Sequence, residues 1–112
     1  MQILHNPRCS KSRQTLEILK ENNIDPEVIL YLNDTPTVNE LKVILQKLNI
    51  KPEELLRKNE AIFKEQFKGL SFNDDEWINV MIENPKLIER PIVIRGNKAI
   101  IARPPEKVKE LL

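Results

Sequence analysis

The chain has 112 residues, 40% hydrophobic and 31% charged, with 18 basic against 17 acidic side chains and a net charge of +1. That is enough chain for one core, and the balance excludes a disordered segment or a strongly basic nucleic-acid binder. No apolar stretch approaches the roughly 20 residues that span a bilayer, and residues 1–16 hold no continuous apolar run of signal-peptide type, so a cytoplasmic location without membrane or nucleic-acid partners is expected.

Gln2 to His5 is a short apolar run closed by Asn6-Pro7, the pattern of a buried first strand ended by a turn. Ser10 to Asn22 carries good helix formers, with Leu16, Ile18 and Leu19 expected inward and Asn23 marking the end. Glu27 to Tyr31 is β-branched and apolar between Asp25-Pro26 and Asn33-Asp34, which predicts a second strand. Strand, helix and strand in about thirty residues make a right-handed parallel βαβ unit.

The stretch from about 33 to 85 reads as a helical insertion. Thr37 and Glu40 form a capping box ahead of Leu41, Ile44, Leu45 and Leu48. Pro52 can open a short helix through Leu56, and Glu60 to Lys68 predicts another stopped by Gly69. Asn73 caps a helix bearing Trp77, Val80 and Met81. Beyond Arg90-Pro91, Ile92-Val93-Ile94 and Ala99-Ile100-Ile101 flank Gly96-Asn97, a strong hairpin signal. Pro104-Pro105 then opens a terminal helix with Val108, Leu111 and Leu112 expected on one face. The order βαβ, helical insertion, ββα predicts an α/β, thioredoxin-like fold in a single domain, with a four-stranded mixed sheet.

Cys9 is the only cysteine, so any redox chemistry must borrow its second thiol from another molecule, and no cysteine-built metal cluster can form. It lies in the turn before the first helix, where orphan backbone N–H groups and the helix dipole favour a thiolate and an anion beside it. Arg8, Lys11 and Arg13 add positive charge, and the first acid is Glu17. Such surroundings lower a thiol pKa from about 8.5 into the range of about 3.5–7.5. The competing reading is a buried, inert cysteine packed as a small hydrophobe. A phosphatase-type loop would need arginine six residues after the cysteine, where Thr15 stands, and a dithiol motif would need a second cysteine where Ser12 stands. Ser12 either donates to the Cys9 sulfur or to a bound anion, or faces solvent from the first helical turn.

The segment His5-Asn6-Pro7-Arg8-Cys9-Ser10-Lys11-Ser12-Arg13, followed by Thr15-Leu16, resembles the active-site segment of the glutaredoxin-coupled arsenate reductase family. Tyr31-Leu32, Leu55-Leu56-Arg57-Lys58, Arg90-Pro91-Ile92-Val93 and Arg103-Pro104 extend the likeness over nearly the whole chain, and the spelling around Cys9 is similar to a short subgroup of that family. The resemblance implies Cys9 as nucleophile, His5 as a support for its ionisation, and Arg57, Arg90 and Arg103 as holders of the arsenic oxyanion. Ser12 and Arg13 join them as candidate substrate-binding residues. It also implies a cis proline at Pro91, arsenate as substrate, glutathione as co-substrate, glutaredoxin as protein partner, and no bound cofactor or metal.

Each arginine also has a plain structural reading. Arg57 suits a helix C-terminus, and Arg90 and Arg103 suit surface ion pairs. A regulator of the Spx type, which shares the fold and binds RNA polymerase, would carry a second cysteine at Ser12. A thiol oxidoreductase acting on glutathione mixed disulfides would keep the same nucleophile.

Overall fold

The computed structural model describes all residues from Met1 to Leu112. The chain divides into two compact units, Met1–Asp34 with Arg90–Leu112, and Thr35–Glu89.

In the first unit, β1 (Gln2–Leu4) leads into α1 (Ser10–Glu21) and returns as β2 (Glu27–Ile29), and β3 (Ile92–Arg95) and β4 (Lys98–Ile101) complete the sheet. The strand order is β2-β1-β3-β4. β1 runs parallel to β2, with Ile3 opposite Val28, and antiparallel to β3, with Ile3 opposite Val93. β3 and β4 form the hairpin around Gly96, whose φ of +59° is the left-handed geometry that this turn demands and glycine adopts freely. The mixed four-stranded sheet predicted from the sequence is therefore present, with strands shorter than the apolar runs at β1 and β2.

One face of this sheet is a closed apolar layer. Ile3 and Val93 pack with Leu19 of α1 and with Ala102, Val108 and Leu111, and Leu16 and Ile18 lie partly buried at its margin. The buried stripe of α1 differs from its apolar pattern, because Ser12 and Thr15 are enclosed with Leu19. Thr15 resolves its polarity locally by donating to the Lys11 carbonyl at 2.9 Å. Ser12 finds its partners at the active-site turn.

The chain end corrects an expectation. Residues Pro105–Leu111 form a 3-10 helix, not an α-helix. A repeat of three residues aligns Pro105, Val108 and Leu111, which are all buried, and turns Leu112 outward to 45% exposure. Arg95 secures this segment by donating to the Leu111 carbonyl at 2.6 Å.

The second unit holds α2 (Val38–Leu48), α3 (Ala61–Gln66) and α4 (Asp74–Glu83), with short 3-10 turns at Pro52–Leu55 and Pro85–Leu87. The Thr37/Glu40 capping box opens α2 and an Asn73/Glu76 box opens α4, each satisfying two orphan donors reciprocally. α4 packs on α2 and on the Pro52–Leu55 turn, and Trp77 lies with its ring centroid 4.8 Å from that of Phe72. Gly69 sits just beyond α3 at φ +83°, a helix-stopping geometry. Pro52 opens only a 3-10 turn, because Leu56 leaves it in extended geometry to bridge antiparallel with Ile88. No helix in the chain is long and apolar enough to cross a membrane.

Candidate active site

Cys9 is the N-cap residue of α1, at φ −92° and ψ 120°, and is partly exposed. Its position is fixed by Asn6, expected from the sequence only to end the first strand. The Asn6 carbonyl accepts from the Cys9 N–H at 3.0 Å, and its side-chain oxygen accepts from the Arg8 N–H at 3.0 Å. Asparagine before proline does this readily, since its side chain mimics a turn of backbone. The turn therefore delivers the sulfur to the open end of the helix.

Burial by itself pushes the Cys9 thiol up, but four other influences outweigh it and the net shift is downward. They are the Ser12 N–H, a hydrogen bond from the Arg90 side chain, the Lys11 N–H, and the positive charge of Arg90. Arg103 Nη1 stands 3.9 Å from the sulfur and donates to the Arg90 carbonyl at 3.0 Å, so the two arginines are braced against each other at the nucleophile. Arg90 precedes a cis peptide bond to Pro91, as the resemblance implied, and Arg103 precedes a second, unanticipated one to Pro104. Arg13 N–H is not among the thiolate's donors, because it bonds the Cys9 carbonyl as the first rung of the helix.

Three side chains proposed as site residues make their contacts within the turn itself. Ser12 is fully buried and its hydroxyl faces away from solvent toward His5, with Oγ 2.6 Å from His5 Nδ1 and accepting from the Asn6 N–H at 3.1 Å. It therefore reaches Cys9 through its backbone rather than its hydroxyl. His5 is 6% exposed, and its pKa is lowered by burial first and by the charges of Arg13 and Lys20 second. The downward shift disfavours an imidazolium here, and the contact His5 makes is with the Ser12 hydroxyl in the first turn of α1. Arg13 Nη1 donates to the Pro7 carbonyl at 2.8 Å, a brace on the loop.

Arg57 belongs to the other unit. It follows the Pro52–Leu55 turn and is held by Glu60 Oε1, 3.2 Å from Nε, and Glu89 Oε1, 2.9 Å from Nη1.

Alkylation of Cys9 by iodoacetamide should follow an apparent pKa clearly below the free-thiol value of about 8.5, since the reagent reports the ionised fraction. An ordinary thiol profile would remove the basis for nucleophilic chemistry.

The ArsC family pattern matches residues 4–111, nearly the whole chain. The chain belongs to the ArsC family. A relative named arsenate reductase, from Haemophilus influenzae, is 44% identical over 112 residues, covering 98% of this chain and 97% of its own length. Another, the uncharacterized protein YfgD of Escherichia coli K12, is 46% identical over 114 residues, covering 100% of this chain and 96% of that one. The solved structure of an arsenate reductase from Vibrio cholerae superposes with a TM-score of 0.93 at 45% identity, covering 100% of this chain and 98% of that one. Membership of the ArsC family and the mixed-sheet fold are thus shared with relatives across the full length.

Proposed function

We propose that this chain reduces arsenate to arsenite, with Cys9 as nucleophile and glutathione and glutaredoxin as the source of further thiols. The observation that carries this reading is the convergence of Arg90 and Arg103 on a Cys9 sulfur whose ionised form is favoured. Planar, permanently charged forks beside a thiolate suit a tetrahedral oxyanion, which accepts paired N–H bonds. Arg57 is the third arginine assigned to the oxyanion by the family resemblance.

The chemistry balances with two thiols. The Cys9 thiolate attacks arsenic, an As–O bond breaks, and the oxygen leaves as water after protonation. A glutathione thiolate then attacks the Cys9 sulfur. The S–As electron pair stays on arsenic, which departs as arsenite, and a Cys9–glutathione disulfide remains. A glutaredoxin thiolate attacks the glutathione sulfur and returns Cys9 as thiolate. Arsenic gains two electrons and two thiols are oxidised. The single cysteine makes the external thiols necessary, and a reducing cytoplasm is where glutathione would supply them.

The test is a coupled assay with arsenate, glutathione, glutaredoxin, glutathione reductase and NADPH. Arsenate-dependent NADPH oxidation is expected. Oxidation that needs a glutathione mixed disulfide and ignores arsenate would assign the thiol oxidoreductase reading instead, and no oxidation with either would favour the Spx-type regulator.

A further inference from the structure

We infer that Glu89, with Glu60 beside it, is a positioning residue that orients Arg57 for an anionic ligand; this rests on the oxyanion-holding role proposed for Arg57. The backbone first sets the pair. Arg57 N–H donates to the Leu87 carbonyl at 2.8 Å, Glu89 N–H donates to the Leu55 carbonyl at 2.9 Å, and Leu56 bridges Ile88 between them. Leu55, Leu56, Leu87 and Ile88 are all buried, so this two-strand stitch is anchored and places Arg57 beside Glu89. The side chains then close the arrangement, with Glu89 on Nη1 and Glu60 on Nε.

Two of the five guanidinium N–H donors are thereby engaged and three are left, enough for a paired contact to an oxyanion. Only 18% of the Arg57 side chain is exposed, against 54% for its neighbour Lys58. The arginine is held in one place before any ligand arrives, and the rotamer freedom that a flexible arginine would lose on binding is already spent. A surface pair kept only for stability would gain little from this.

Coulomb repulsion and positioning predict opposite outcomes. Two carboxylates beside an anion site repel the ligand, so charge alone says that Glu89→Gln should tighten binding. Positioning says that it should weaken it. Arsenate is titrated calorimetrically into the full chain carrying Cys9→Ser, which removes turnover, and then into that chain with Glu89→Gln, Glu60→Gln, Arg57→Ala, or Glu89→Gln with Arg57→Ala. Glu89→Gln is expected to weaken arsenate binding by about tenfold, the size of an ordinary coupling between contacting residues. Adding Arg57→Ala should cost little more than Arg57→Ala alone. In the Cys9 enzyme the same change should raise KM with little effect on kcat, and Glu89→Asp should recover part of the loss.

Thermal melts confirm that each variant is folded, and Glu60→Gln, which loosens the longer 3.2 Å contact to Nε, gives a second probe. Unchanged or tighter binding in Glu89→Gln, with Arg57→Ala still weakening it, overturns the positioning role and leaves the proposed function standing. Unchanged binding in Arg57→Ala removes Arg57 from the oxyanion site and the inference with it.

Discussion

Replacing Cys9 with serine is expected to bring arsenate-dependent turnover down to background, a loss of about 10⁴-fold or more, the scale seen when a covalent nucleophile is removed. The size of the effect follows from ionisation rather than shape. Serine is nearly isosteric and keeps the N-cap position, so the Ser12 and Lys11 N–H groups and the two arginines still face the side-chain atom. Those donors lower the thiol pKa and favour its ionised form. The same influences cannot ionise an aliphatic hydroxyl, whose intrinsic acidity is far weaker. A serine oxygen also cannot form the disulfide by which the electron pair is left on arsenic. Arsenate should therefore still bind the variant while the chemical step fails. Steady-state assays paired with a binding titration separate the two, and turnover within about tenfold of the unaltered enzyme would assign the nucleophile elsewhere.

The features that the sequence made legible are those set by local chemistry. Asn6-Pro7 ends a strand, Thr37 with Glu40 opens one helix and Asn73 caps another, and Gly96-Asn97 turns a hairpin. Each works through groups only a few residues apart. The position of Cys9 at the start of α1 was legible for the same reason.

Features that depend on the choice of a distant partner were not legible. Ser12 has a hydroxyl suited to a sulfur, an anion or water, and only the fold decides that His5, seven residues earlier, takes it. Arg13 is a cation near the thiol in sequence, yet its side chain reaches back to Pro7. Glu60, three residues after Arg57, is at a spacing that invites pairing, but Glu89 becomes a partner only through the Leu56–Ile88 bridge. The terminal segment shows a subtler failure. Val108, Leu111 and Leu112 fit a helical stripe, and a segment this short behind two prolines took the tighter 3-10 repeat, which accommodates Val108 and Leu111 but not Leu112.

Arg90→Lys is expected to reduce kcat/KM for arsenate by about 10²-fold, comparable to removal of one preorganised donor from an oxyanion site. Arg90 does two things at once: its guanidinium hydrogen-bonds the Cys9 sulfur, and its charge favours the thiolate. Its own carbonyl, meanwhile, holds Arg103 Nη1 at 3.0 Å, so the backbone at this cis-proline junction positions the second fork as well. Lysine keeps the charge and the backbone, and hence the brace on Arg103. It gives up the plane of paired donors that can serve the sulfur and an oxyanion together. Cys9 should therefore remain a depressed thiol in the lysine variant while arsenate is handled poorly. Arg90→Gln should lose both, moving the alkylation profile toward that of a free thiol and reducing kcat/KM further. Measuring the alkylation profile and the arsenate kinetics on both variants separates charge from geometry. Equal arsenate kinetics for arginine and lysine would mean that position 90 acts on the sulfur alone.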